Sequence, residues 1–173
     1  KISDWADRYR RLSPESSAEA GAWKSDRAPF QREIMNTFND PDIKRIVFMK
    51  SSQVGATEIL LNVIGYYIDQ DPAPMLIMQP TLQMAQAFSK DRLAMMIRDC
   101  VKEPRSRDSG NTVLSKKFAG GNLNIVGSNS ASGLASRPIR IVLADECDRY
   151  EASAGAEGDP ISLATKRTTT FWN

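Results

Sequence analysis

The sequence contains no histidine. Zinc sites of the usual Cys/His kinds and Ser-His-Asp chemistry are therefore excluded. Two cysteines, Cys100 and Cys147, allow one disulfide at most, which argues against a secreted disulfide scaffold and for a reducing cytoplasm. No apolar run reaches the roughly 18 residues of a membrane span, and no signal-peptide pattern opens the chain. An excess of one charge is also missing. Lys and Arg number 23 against 21 Asp and Glu, a net charge of +2, which rules out a histone-like or tail-like basic binder. What remains is ordinary globular material: 173 residues, 41% hydrophobic and 25% charged, enough for one domain or one domain plus an appendage. The chain begins without Met and stops at Phe171-Trp172-Asn173, which reads as a piece excised from something longer.

No internal repeat or low-complexity tract interrupts it. Ser3 to Leu12 has Trp5, Tyr9 and Leu12 at helical spacing, and its basic run Arg8-Arg10-Arg11 reads as a solvated helix face or a phosphate contact. A Ser/Ala/Gly stretch, Ser13 to Gly21, reads as an arm, so residues 1–25 form an N-terminal helix and arm and residues 26–173 the main domain. Asp26 offers a cap for a helix carrying Phe30, Ile34, Met35 and Phe38, which Asn39-Asp40-Pro41 ends. The pattern then changes to short apolar runs alternating with helical stretches. Ile46–Met49, Met75–Met78, Leu123–Val126 and Ile139–Ala144 read as buried strands, with helices over Thr57–Asp69 and Thr81–Cys100. This alternation predicts an α/β fold, a mostly parallel sheet covered on both faces. Ligands bind such sheets at the carboxyl ends of the strands, so the loops starting at Lys50, Gln79, Gly127 and Asp145 are expected on one edge.

The first of these loops is Lys50-Ser51-Ser52-Gln53-Val54-Gly55-Ala56-Thr57. A phosphate loop has Gly, four residues, then Gly-Lys-Ser/Thr. Gly55 and the Thr57 hydroxyl are in place, Lys50 replaces the first Gly, and Ala56 replaces the usual Lys. Backbone amides and a helix N-terminus make the cradle, with Lys50 at the entrance to supply the ammonium and Thr57 to ligate Mg2+. Taken alone, the loop is weak evidence, and an ordinary polar strand-to-helix turn is the safer reading. Ile141-Val142-Leu143-Ala144-Asp145-Glu146 supplies context, because an apolar strand ending in two carboxylates is costly without a partner. In a phosphate-loop ATPase the first carboxylate, here Asp145, orders magnesium, and the second, Glu146, activates the attacking water. The alternative for this pair is a solvated strand end with capping acids. Loop and acids occur in the order used by the additional-strand, catalytic-glutamate (ASCE) branch of these ATPases, with two candidate strands between them.

Gln31 is a candidate adenine reader, or else a surface Gln. Arg137, with Arg140 nearby, is a candidate arginine finger, or else a surface Arg. Gln79, Gln83 and Gln86 follow the second strand, where a DNA contact, a coupling role and a simple helix start all fit. Cys147 reads as a small packing residue, and Met75, Met78, Met84, Met95 and Met96 as core filler.

These motifs resemble those of lambda-type large terminase subunits, the DNA-packaging motors of tailed phages. The resemblance runs through Trp5-Ala6, Leu12-Ser13-Pro14-Glu15-Ser16-Ser17, Asp40-Pro41, Met49 to Glu58, Asp71-Pro72, Pro80-Thr81, Phe88-Ser89-Lys90, Gly127-Ser128-Asn129-Ser130 and Asp145-Glu146-Cys147-Asp148-Arg149. It implies a three-layer, RecA-like ATPase domain that hydrolyses ATP with Mg2+ to drive double-stranded DNA into a prohead in the host cytoplasm. Implied partners are the small terminase subunit, the portal and further copies in a ring, with no membrane. Family members ending their loop in Gly-Lys-Thr have Lys where this chain has Ala56. A Ser/Thr-rich coupling motif is not evident, Thr168-Thr169-Thr170 being a poor match, and no nuclease carboxylate cluster is present, so DNA cleavage by this stretch is not expected. Two other readings are a degenerate nucleotide-binding or docking module without significant hydrolysis, and a helicase-like ATPase on the same sheet.

Overall fold

A computed structural model describes residues 1–171 except Ser16, Ala18, 102–109, 131, 132 and 134–137. The chain divides into two compact units, Lys1–Asp71 with Leu93–Glu103, and Pro72–Arg92 with Pro104–Asn173.

The first unit is helical. It contains α1 (Ile2–Tyr9), a two-stranded ribbon of β1 (Arg11–Leu12) and β2 (Gly21–Ala22), α2 (Pro29–Thr37), α3 (Ala56–Asp69) and α5 (Ala94–Cys100). The expected arm is thus closed at its base, Arg11 facing Ala22 and Leu12 facing Gly21. The core gathers Ile2, Trp5 and Ala6 of α1, Met35 of α2, and Ile59, Leu61, Val63 and Ile64 of α3. Trp5 lies so close to α3 that a Cβ at Gly65 would fall 2.1 Å from the indole, while the indole Nε1 donates to Asp69 Oδ2 at 2.8 Å. Asp26 does not cap α2. It pairs with Arg32 at 2.7 Å, and Ala28 precedes the helix, whose first residue, Pro29, suits a position with no amide partner.

Arg10 departs from both sequence-based readings of the basic run. It is 5% exposed. Its guanidinium donates to Glu58 Oε2 (2.7 Å), Asn62 Oδ1 (3.1 Å) and the Arg11 carbonyl, which ties the end of α1 to the first two turns of α3. A buried charge is retained only when such partners satisfy it. Cys100 is buried beside it and accepts from the Arg11 amide at 3.1 Å.

One expected strand fails. Ile46–Met49 forms no strand, and Val47 and Met49 are 83% and 95% exposed. An apolar run signals burial, but a strand also needs a neighbour for its amides and carbonyls. Phe48 sets its ring 6.5 Å from that of Phe30, centroid to centroid.

The second unit is built on a four-stranded sheet in the order β4 (Ser115–Phe118), β5 (Gly121–Gly127), β3 (Pro74–Gln79), β6 (Ile141–Ala144). Both β5 and β6 run parallel to β3, and the polar edge strand β4 pairs antiparallel with β5. From Met75 to Gln79 every β3 residue is buried, as expected for a central strand covered on both faces. Leu76, Met78, Ile139, Ala154 and Ala164 form one core cluster; the last belongs to α6 (Pro160–Thr165). After β3, Thr81 caps α4 (Leu82–Phe88) by accepting from the Met84 amide at 3.1 Å, followed by the π-helical Ser89–Leu93. The expected helix over Thr81–Cys100 is therefore three successive helical segments. Met75, Met78 and Met96 are core residues, whereas Met84 and Met95 are only partly buried.

Candidate functional site

Three of the four loops expected on one edge follow β3, β5 and β6 of the sheet. Their registers, Gln79 opposite Gly127 and Met78 opposite Ala144, bring Pro80, Ser128 and Asp145 to a common carboxyl edge. The fourth, at Lys50, follows the unpaired run and belongs to the helical unit. Each unit holds its own group of candidate residues.

In the helical unit, residues 50–55 turn sharply into α3. Gln53 (φ 59°) and Gly55 (φ 77°, the residue capping α3) both take left-handed backbone conformations. Side chains disfavour that region by about 1–2 kcal/mol per residue, so Gln53 is a strained position and Gly55 an easy one. Such turns point successive amides to one side, the construction from which anion-binding concavities are made. Lys50, Ser51, Ser52 and Gln53 are exposed, and Val54, Gly55, Ala56 and Thr57 are partly covered, with Thr57 on the first turn of α3. Gln31 is 8% exposed, which overturns its reading as a surface residue. Its Nε2 donates to the Val54 carbonyl at 2.8 Å and lies where a Cβ on residue 55 would meet it at 2.6 Å. Gln31 thus braces the loop from α2. The first turn of α3 is also held by the Arg10–Glu58 pair.

In the sheet unit, Asp145 leaves β6 buried, and Gln79, itself buried, approaches its Oδ2 with Nε2 at 3.4 Å. Gln79 is fixed in turn, its carbonyl accepting from the Ser128 amide at 2.8 Å, while Ser128 Oγ donates to the Pro80 carbonyl at 2.9 Å. Glu146 takes a left-handed conformation (φ 52°) and starts the 3-10 turn Cys147–Arg149. Both ends of this turn are tied to one acceptor: the Asp145 amide (3.1 Å) and the Tyr150 hydroxyl (2.9 Å) each donate to the Met78 carbonyl. Burial pushes the Tyr150 phenol well above its ordinary range, and the Cys147 and Asp145 side chains add to the shift. The Glu146 Oε2 atom is buried without a hydrogen bond and stands 3.1 Å from Arg149 Nη1. Cys147 is exposed, contrary to its reading as a packing residue.

Arg137 lies outside the described residues. Arg149 and Tyr150 were not singled out from sequence for any role. Their proximity to Glu146 and Met78 depends on a three-residue turn that no periodicity announces.

The Thr57 hydroxyl in the helical unit and the Asp145 carboxylate in the sheet unit are each hard oxygen donors, the kind that Mg2+ prefers. No group of three or more His, Cys, Asp or Glu residues that would form an all-protein metal cage exists among the described residues.

The family model for the ATPase domain of the phage terminase large subunit gpA matches residues 17–173. This chain belongs to that family. It is 31% identical to the terminase large subunit of Enterobacteria phage P21 over 94% of its length, and 30% identical to that of Escherichia phage lambda over 95%. The chain spans about a quarter of those relatives, 26% of each. No solved structure matches it significantly. Among the described residues no helix is long and apolar enough to cross a membrane.

Proposed function

We propose that this chain is the ATP-hydrolysing part of a terminase motor that translocates double-stranded DNA into a prohead. The observation carrying the reading is the Asp145-Glu146 turn. Two carboxylates leave a sheet strand at its carboxyl end, one supported by Gln79 and the other held in a strained conformation with a buried, unbonded oxygen. Strain of this kind is retained where surrounding contacts over-determine it, and it collects at functional sites. In a member of the terminase ATPase family, a RecA-like phosphate-loop core of the catalytic-glutamate branch accounts for it.

The roles follow from chemistry. Lys50 and the amides of Ser51 to Ala56 hold the triphosphate, a job for point charge and oriented N–H groups. Thr57 and Asp145 hold magnesium, which when bound neutralises charge developing on the phosphates. Glu146 orients and deprotonates the attacking water. Gln31, with one of its two amide N–H groups on Val54, keeps the other and its carbonyl oxygen to read adenine. Arg137 serves as the finger. Double-stranded DNA, the small terminase subunit, the portal and further copies in a ring are the proposed partners, acting in the host cytoplasm.

The test is Mg-ATP-analogue binding by the full-length protein, then turnover with and without DNA and prohead-dependent packaging. Binding with DNA-stimulated turnover supports the motor, strand separation without packaging would favour a helicase, and no binding at all removes the reading. Ala56 favours one second reading, a degenerate module that binds nucleotide and only organises partners. Ala56→Lys separates the two, because an ATPase gains rate on repair and a scaffold does not.

A further inference from the structure

We propose that Arg149 is the positioning residue of Glu146, gripping one carboxylate oxygen so that the other is presented to the attacking water. The inference rests on the hydrolytic role proposed for Glu146.

Three observations within one short turn carry it. The Arg149 amide donates to the Glu146 carbonyl at 2.9 Å, which closes the 3-10 turn and returns Arg149 over the glutamate. The left-handed backbone of Glu146 turns its side chain back toward that turn, where Nη1 of Arg149 stands 3.1 Å from the buried Oε2. That oxygen has no hydrogen bond, so the guanidinium holds it by charge alone. The turn cannot drift, because Asp145 and Tyr150 hang both of its ends on the Met78 carbonyl.

Magnitudes exclude stability as the reason for the arrangement. Arg149 is 62% exposed and Glu146 33%. Ion pairs this wet typically contribute about 0–1 kcal/mol, while a left-handed non-glycine residue costs about 1–3 kcal/mol. The turn therefore gives up stability to keep a carboxylate in one place. A general base works only if its oxygen is correctly aimed, and a misplacement of about 1 Å lowers rates by roughly 100-fold.

Steady-state ATP hydrolysis by the full-length protein tests this, comparing Arg149→Ala, Arg149→Lys, Glu146→Ala and the Arg149→Ala/Glu146→Ala double variant. Thermal unfolding serves as the fold control, and the exposure of Arg149 predicts an unchanged midpoint. The expected result is a kcat for Arg149→Ala lower by roughly 10- to 100-fold at nearly constant KM, with partial recovery in Arg149→Lys. In the Glu146→Ala background, removing Arg149 should cost nothing further, since a residue acting through another has no effect once that partner is gone. An unchanged kcat, a rise in KM alone, or a loss that multiplies with that of Glu146→Ala would overturn the proposal while leaving the ATPase reading intact. A wild-type protein that binds ATP and never turns it over would overturn both.

Discussion

The loop and the acidic turn differ in what holds them. The acidic turn is carried by a buried parallel sheet: β3 supplies the Met78 carbonyl that anchors both its ends, and Gln79 supports Asp145. The loop has no such framework, since the run before it forms no strand and leaves Val47 and Met49 exposed. It is braced instead by single side chains, Gln31 on Val54 and Arg10 on Glu58. The difference teaches where tolerance should lie. The backbone of the acidic turn is positioned by the sheet, which few substitutions reach, whereas the backbone of the loop depends on individual side-chain contacts that single substitutions remove.

The largest expected effect on stability is in the helical unit. Gly65→Ala puts a methyl 2.1 Å from the Trp5 indole, and overpacking of this kind costs about 1–3 kcal/mol or more. Chemical denaturation of the variant checks it, and an unchanged midpoint would mean that α1 is not seated on α3. Next comes Lys50→Ala, which deletes a charge-assisted phosphate contact and should weaken ATP binding by roughly 10- to 100-fold with little change in folding. Gln31→Ala sharpens the comparison. Losing one hydrogen bond to the loop, about 0.5–1.5 kcal/mol, should raise the KM for ATP, measurable as a few-fold shift. The smallest effect belongs to the sheet unit. Tyr150→Phe removes one of two donors from Met78 and should cost about 1 kcal/mol, leaving KM unchanged.

The same tyrosine gives a pH dependence. Its folded phenol ionises above the ordinary value of 10.0, so unfolded protein loses this proton first as pH rises. Its contribution is fully present below about pH 10 and is lost above it, as pH climbs toward the folded value. Wild type should therefore lose stability faster than Tyr150→Phe across that alkaline range. Parallel curves for the two proteins would remove Tyr150 from the clamp.

What could be read from sequence divides along the same line. β3, β5, β6, α3 and the Thr81 cap were legible because apolar runs, helical spacing and capping chemistry leave direct marks in residue type. Ile46–Met49 looked equally strand-like, since its apolarity reports a preference for burial and says nothing of a pairing partner. β4 was missed because Lys116 and Lys117 disguise an edge strand, a place where lysine is common. Among the candidate site residues, the loop, Gln31 and the acidic pair were proposed from chemical type and order. The inward turn of Arg10 and the Arg149–Glu146 contact were not, because both depend on where a short connection points. Composition cannot distinguish Arg10 from the exposed Arg8 beside it.

The most direct test is made at Glu146. With Glu146→Gln in the full-length protein, ATP-analogue affinity and ATP turnover are measured on the same preparation. Affinity within a few-fold of wild type, together with a turnover lower by roughly 100-fold or more, is the predicted result. Turnover at the wild-type rate would contradict it.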